Sequence, residues 1–218
     1  MQHNRWIVGL SSLLLLFTSC TKSITGEGPT STQIRQVNTF NKIKINGSGD
    51  VEVVPSNNQQ VIISGYNNLL EIYESKVVNG ELQLGFEPRK NIRNDNIKVR
   101  IEIPDIRGVN INGSGDILIN GFLQGTELGA LINGSGRIRI QSSAFNRTAY
   151  YINGSGDIFA AAIPSRTSEA TITGSGFIEL NCTQNLKVRI SGSGTIDYYG
   201  NPPSTDISIS GSGVVRKK

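Results

Sequence analysis

The sequence has few of the residues from which disulfide frameworks and thiol-based catalytic centres are built. Its 218 residues include two cysteines, Cys20 and Cys182, and one histidine, His3. If Cys20 is modified, as argued below, Cys182 has no partner, and a disulfide framework is excluded. A Cys–His nucleophile is excluded as well, because the one histidine lies in a segment that we expect to be removed. The fold must therefore be held by packing and backbone pairing.

Aromatic residues and charge of one sign are also scarce. The formal net charge is +4 and aromatic residues make up 6% of the chain. A charge this small and this evenly scattered does not predict a nucleic-acid-binding surface. The 25 glycines indicate many turns. The core is accordingly expected to consist of Ile, Val and Leu in a single domain.

The N-terminal apolar segment, residues 7–17, follows Arg5 and is too short to span a bilayer as a helix. It ends in Phe17-Thr18-Ser19-Cys20, which resembles the lipobox of bacterial lipoproteins, with Phe where Leu is commoner. The resemblance implies a signal peptide over residues 1–19 and an acylated Cys20 that anchors the chain to a membrane. The alternative is an ordinary secretory signal followed by a cysteine. Residues 20–37, rich in Ser, Thr and Gly, are then predicted to form a flexible tether.

A repeat dominates the rest of the sequence. Gly-Ser-Gly occurs seven times, and the last six copies are 21, 20, 20, 18 and 19 residues apart. Isoleucine stands two residues before every triplet, and Ile or Val stands two residues after it. Such positions alternate as in a strand on either side of a glycine corner. The corner glycines, for which we expect a positive φ, are Gly47, Gly49, Gly113, Gly115, Gly134, Gly136, Gly154, Gly156, Gly174, Gly176, Gly192, Gly194, Gly211 and Gly213.

This pattern predicts an all-β domain over residues 38–218, a β-solenoid in the form of a right-handed parallel β-helix with rungs of about 20 residues. Stacked units would place each isoleucine over the next at the strand spacing of ~4.8 Å. The first two triplets are 66 residues apart, the segment between them differs from the repeats, and Asn79-Gly80 predicts a hairpin. We expect this region to supply antiparallel hairpins that pair onto the stack.

The ordered motifs resemble the putative auto-transporter adhesin, head GIN domain family. The resemblance rests on the segment from Ile43 to Val53, the Asn79-Gly80 hairpin, the segment from Ile101 to Ile106 and the later Gly-Ser-Gly rungs. It implies an exported β-helical domain of the cell envelope. Together with the lipobox at Cys20, it predicts an outer-membrane lipoprotein on either the surface or the periplasmic face. It implies no catalytic residues and no particular ligand.

The residue that follows the triplet is a candidate calcium ligand, because it is aspartate at Asp50, Asp116 and Asp157. Calcium would need carboxylates in successive nine-residue turns, so no metal and no cofactor are predicted. In this column Arg137 stands between Asp116 and Asp157, which indicates stabilising charge alternation. The Asn column before the triplets favours stacked amides, with a ligand-reading row as the alternative.

One outward set is a candidate binding patch, because apolar and basic side chains combine there as they do at many contact surfaces. It consists of Leu118, Phe159, Phe177, Arg137 and Arg139, with the two arginines expected to flank the apolar strip. Leu131 and Tyr151 are outward on the preceding strands. The alternative is that loops of adjacent rungs cover these side chains.

The function predicted is therefore a non-enzymatic, envelope-anchored binding or adhesion module. A glycan, a protein or a second copy of the chain would be its partner, and nucleic acid would not. Two alternatives remain open: a carbohydrate-active enzyme on a β-helix scaffold and a purely structural envelope lipoprotein.

Overall fold

The computed structural model describes residues 23–88 and 90–218, which form nineteen strands and one short helix. The first part contains β1 Ser23–Thr25, β2 Thr30–Arg35, β3 Lys42–Gly47, β4 Asp50–Pro55, β5 Gln60–Tyr66, α1 Asn67–Leu70, β6 Tyr73–Val78, β7 Glu81–Phe86, β8 Asn91–Arg93 and β9 Lys98–Ile103. The repeats contain β10 Gly108–Gly113, β11 Asp116–Asn120, β12 Gly125–Gly134, β13 Arg137–Gln141, β14 Phe145–Gly154, β15 Asp157–Gly174, β16 Phe177–Gly192, β17 Thr195–Tyr199, β18 Ser204–Gly211 and β19 Val214–Lys217.

Successive repeats stack in parallel as a β-solenoid of about six turns, which confirms the predicted fold class. The strands that precede the triplets form one array, in the order β7, β3, β10, β12, β14, the second halves of β15 and β16, and β18. The strands that follow the triplets form a second array, in the order β9, β4, β11, β13, the first halves of β15 and β16, β17 and β19. We call these the pre-corner and post-corner arrays.

The register places equivalent residues of the repeat directly over one another. Ile111 is the partner of Ile132 on one side and of Ile45 on the other, and Gly113 likewise lies between two corner glycines. The isoleucines before the triplets are buried from Ile45 to Ile190, as is the branched residue two positions after each triplet up to Ile196. A single turn cannot bury these side chains, whereas neighbouring turns cover one another.

The Gly-Ser-Gly corners need glycine for two different reasons. Gly154 has a φ of 134°, which disfavours any residue with a Cβ atom. The second glycine lacks this conformation in every triplet after the first, so the expectation of a positive φ is wrong for Gly115, Gly136, Gly156, Gly176, Gly194 and Gly213. A Cβ on Gly156 would instead lie 2.6 Å from the carbonyl oxygen of Gly136, in the turn beneath. The second glycine is therefore required because the turns are packed closely at the corner.

The irregular segment between the first two triplets supplies a further turn of the stack. β7 pairs parallel with β3, and β9 pairs parallel with β4. Because β10 and β11 pair with the opposite edges of the same two strands, the first turn lies between two segments that follow it in sequence. The Asn79-Gly80 hairpin joins β6 and β7 with positive φ at both residues, as a type I′ turn requires.

Antiparallel strands cover this end of the stack. β6 pairs with β7, β5 pairs with β9, and β2 pairs with β5. β2 and β1 belong to the segment predicted as a flexible tether, so that prediction is wrong for residues 23–35. Gln33 and Arg35 lie on the same face of β2, and Arg35 Nη2 donates to the carbonyl oxygen of Leu70 at 2.6 Å. β1 pairs with β8.

The opposite end of the stack lacks a comparable cover within the described residues. β18 pairs only with β16, and β19 pairs only with β17. All eight residues of β18 are exposed. Ile207 and Ile209 retain 42% and 43% of their accessible surface, although their equivalents in the turn beneath, Val188 and Ile190, are buried.

Candidate functional site

The outward side chains of the post-corner array form a continuous surface, which we call the outer face. Strand register aligns them in two columns. The first contains Glu52, Leu118, Arg139, Phe159, Glu179, Asp197 and Arg216, and the second contains Asp50, Asp116, Arg137, Asp157, Phe177, Thr195 and Val214. Charged and apolar side chains therefore alternate from Glu52 to Glu179 in the first column, whereas the second column has four charged residues, from Asp50 to Asp157, before Phe177.

Phe159 and Phe177 are neighbours on this surface, as predicted from their adjoining columns. Their ring centroids are 5.8 Å apart and the rings are inclined by 57°. Both side chains are half-buried, as is Leu118, which shows that they are neither core residues nor fully exposed. Half-buried aromatic rings on a rigid sheet provide a large apolar contact area with little loss of side-chain freedom.

The two arginines of the candidate patch lie differently from the expectation. Arg139 does not flank the apolar side chains but stands between Leu118 and Phe159 in the same column. Arg137 lies between two aspartates, 3.9 Å from Asp116 and 4.0 Å from Asp157. This is the alternation predicted from the sequence. Since these groups are about one-third to one-half exposed, the pairs stabilise the fold only weakly.

A cleft of about 560 Å³ continues the outer face toward the covered end of the solenoid. Leu118 and Arg139 line its side nearest the aromatic pair, and Thr32, Ile62 and Ser64 of the antiparallel strands line the other. Between them lie Asp50, Glu52, Lys98, Arg100 and Asp116. The cleft therefore joins two of the five residues of the predicted patch to residues that the sequence pattern did not indicate.

Some of the charged side chains in the cleft are hydrogen-bonded to one another. Arg100 donates to Glu102 at 3.0 Å and to Glu52 at 2.5 Å. These hydrogen bonds hold the pKa of Arg100 above its usual value, so this side chain stays charged. Asp50 stands between Lys98 and Asp116 in the register. In the chain from Ser23 onward, Arg89 excepted, no group of three or more His, Cys, Asp or Glu side chains is placed to hold a metal ion.

The asparagines before the triplets form a hydrogen-bonded ladder. Asn112 donates to Asn46 at 3.2 Å, Asn133 to Asn112 at 2.9 Å and Asn153 to Asn133 at 2.8 Å. Each side-chain amide therefore binds the next, as the sequence favoured. Because the ladder satisfies the amides along the stack, it stabilises the turns against one another.

Leu131 and Tyr151 lie on the outward side of the pre-corner array. They line a shallow depression of about 250 Å³ together with Gly108, Gly129 and Asn110. Burial, and after it the neighbouring Glu169 carboxylate, raises the pKa of Tyr151 above its usual value. The phenol is therefore protonated at neutral pH and can act as a hydrogen-bond donor.

The structure describes one of the two cysteines, Cys182. Cys20 lies outside the described residues, so its acylation remains a prediction. Cys182 is completely buried, and its Sγ atom lies 3.2 Å from the carbonyl oxygen of Asn185. It packs as a small apolar side chain. Among residues 23–88 and 90–218, no helix is long and apolar enough to cross a membrane.

These features define a class of protein: a parallel β-solenoid with one end covered by antiparallel strands and a mixed aromatic and charged outer face. Residues 39–202 match the model of the putative auto-transporter adhesin, head GIN domain family, and the chain belongs to that family. The family indicates association with the cell envelope and argues for a non-enzymatic role. No curated protein matches the chain.

Solved structures share the fold. A putative adhesin from Bacteroides fragilis is 23% identical, with a TM-score of 0.76 over 90% of this chain and 100% of that one. A putative lipid binding protein from Parabacteroides distasonis is 24% identical, with a TM-score of 0.60 over the same shares. A putative adhesin from Parabacteroides merdae is 22% identical, with a TM-score of 0.52 over 90% of this chain and 99% of that one. At these identities the likeness concerns the fold.

Proposed function

We propose that the chain is a non-enzymatic binding module of the bacterial cell envelope and that the outer face contacts its ligand. The observation that carries this proposal is the pair formed by Phe159 and Phe177, half-buried on a rigid sheet. The cleft beside Leu118 and Arg139 extends the same surface with charged groups. Aromatic and arginine side chains supply much of the affinity at protein contact surfaces.

The partner would be a glycan or a protein. The rings offer apolar contacts to either, while Arg139 and the Asp50 carboxylate supply the hydrogen-bonding groups that fix orientation. One solved relative is described as a putative lipid binding protein. An apolar strip interrupted by arginine suits a polar ligand better than an acyl chain, because a lipid tail would leave the guanidinium unsatisfied.

The test is a double variant, Phe159→Ser and Phe177→Ser, applied to an array of glycans and envelope proteins. We expect binding of the wild-type chain to at least one ligand class and loss of that binding in the variant. Leu123→Ser is the matched control, because Leu123 is 71% exposed and lies away from the outer face. Its binding should equal that of the wild type.

Two outcomes would contradict the proposal. If the double variant folds and binds like the wild type, the contact lies elsewhere on the molecule. If the double variant unfolds, the two rings act as core residues, and the assignment of the outer face as a ligand-binding surface is wrong. Circular dichroism and thermal unfolding distinguish the two outcomes.

A further inference from the structure

The last turn of the solenoid exposes an edge that every earlier turn has covered. β18 is paired along one side by β16, and the row of backbone groups on its other side has no strand beside it within the described residues. Ile207 and Ile209 are exposed on the inward column, where the preceding turn has Val188 and Ile190 buried. An unpaired edge with apolar side chains is a template for pairing with another strand.

The other strand of the last turn, β19, has charged side chains that protect its edge from pairing with a further strand. β18 has no such protection. β19 contributes Arg216 and Lys217, and Lys218 follows it. Lys217 stands in the column of Tyr198, and its Nζ atom donates to Asn201 at 2.7 Å. Charged side chains on an edge oppose the addition of a further strand. β18 has neither Lys nor Pro, and its one charged residue, Asp206, is bound by Arg189.

The sequence of β18 is self-complementary. Ile207 and Ile209 lie on either side of Ser208, so an antiparallel partner with the same sequence can present isoleucine opposite isoleucine on the inward face. In this register Asp206 lies opposite Ser210 on the outward face, and no like charges meet. The same strand of a second copy therefore supplies a matched partner.

We propose that β18 pairs antiparallel with β18 of a second copy of the chain, about a two-fold axis at Ser208. Ile207 of each copy then packs against Ile209 of the other, and the pre-corner array continues from one solenoid into the next. The outer face takes no part in this contact, because Phe159 and Phe177 lie on the post-corner strands. The dimer is therefore independent of ligand binding.

The first test uses a matched pair of lysine substitutions in the exported chain carrying Cys20→Ser. Ser208→Lys places two ammonium groups opposite each other at the axis, whereas Ser210→Lys faces Asp206 of the second copy. Analytical ultracentrifugation should show a concentration-dependent dimer for the parent chain. We expect Ser208→Lys to weaken association about fivefold at low salt, and less at high salt. Ser210→Lys should associate at least as tightly as the parent.

The second test is a cross-link. Opposed residues of an antiparallel pair have Cα atoms about 4.5–5.5 Å apart, which suits a disulfide. Ser208→Cys should therefore form a covalent dimer on mild oxidation. Ser175→Cys, exposed at a corner of the solenoid, should not. The remaining native thiol, Cys182, is buried.

Four results would overturn the proposal. The first is a parent chain that stays monomeric at every concentration, and the second is a folded Ser208→Lys variant that dimerises as tightly as the parent. The third is cross-linking of Ser208→Cys no faster than that of Ser175→Cys, a result that does not depend on how well the lysine variant folds. The Phe159→Ser and Phe177→Ser variant must also dimerise normally, since a loss would place the interface on the outer face.

Discussion

At the scale of single residues, the second glycine of each triplet after the first is held by close packing against the turn beneath. A Cβ on Gly156 would approach the Gly136 carbonyl oxygen at 2.6 Å and Ile132 Cγ2 at 2.7 Å. The oxygen belongs to backbone that is itself held in the stack, because Asp157 N–H donates to Gly136 at 3.0 Å. A methyl group there must therefore separate two turns.

We predict that Gly156→Ala lowers the free energy of unfolding by about 1–3 kcal/mol, the usual cost of overpacking. Gly129→Ala is the control, because its Cβ would have only the Arg107 oxygen nearby, at 3.8 Å, and its φ is not positive. Denaturant unfolding of the two variants measures the difference.

Equal stabilities would show that the corner tolerates a side chain. The N-terminal glycines, which looked unconstrained in the sequence, are poor controls. A Cβ on Gly26 would meet the Asn94 oxygen at 2.5 Å, and Gly28 has a φ of 85°.

At the scale of elements, an ion-pair cluster holds β19 against β17. Arg216 donates to Asp197 at 2.7 Å and 3.1 Å, and Lys218 Nζ lies 3.2 Å from the same carboxylate, whose side chain is 4% exposed. Burial alone would raise the pKa of Asp197, but the hydrogen bonds from Arg216 and Lys218 outweigh it and hold the pKa below its usual value.

A lowered pKa in the folded state means that the Asp197 carboxylate stabilises β19 above the unfolded-state pKa of about 4. This stability is lost as the pH falls through the folded-state pKa. We expect the amides of β19 to exchange faster below about pH 4, once the rates are corrected for intrinsic exchange. In Asp197→Asn they should exchange fast at every pH.

Asp206→Asn is the companion variant, because the Arg189–Asp206 pair links β18 to β16. It should loosen β18 and leave β19 unchanged. If either variant loosens β18 and β19 equally, the assignment of one ion pair to each strand is wrong.

The repeat elements were predictable because their signal is local. Each Ile–polar–Gly-Ser-Gly–x–Ile unit contains its own strand pattern and corner, so the stacking of Ile111 on Ile132 follows from the sequence spacing alone. β2 was missed because the Ser and Thr of residues 30–35 resemble a linker. Its pairing partner, β5, is about 30 residues away, and local composition does not reveal such pairings.

One part of the candidate site was predictable from the sequence, and another part was not. The proximity of Phe159 and Phe177 follows from the column positions, whereas the cleft depends on Thr32, Ile62 and Ser64, which reach it through antiparallel pairing. The inward column also holds Ser165 and Ser168, whose hydroxyls are 2.6 Å apart and buried. Polar residues that satisfy one another in a core follow no hydrophobic period, so the sequence pattern does not predict their burial.

At the scale of the whole molecule, the lipid anchor predicted at Cys20 is open to a direct test. We predict that Cys20→Ser moves the protein from the membrane fraction to the soluble fraction, because acyl chains at this residue would provide the anchor. Fractionation and intact-mass measurement before and after delipidation test this. Cys182→Ser serves as the control and should remain in the membrane fraction. An unchanged distribution and mass in Cys20→Ser would exclude the lipid anchor.

The position of the first turn between two later segments determines when the domain can form. β3 and β4 are covered on one side by β7 and β9 and on the other by β10 and β11. A chain emerging from a translocation channel, N-terminus first, therefore cannot complete its first turn until residues up to 120 have been released. We therefore expect assembly to start with long-range closure and then to extend turn by turn toward Lys217, so that the early part of the chain is the slow stage of folding.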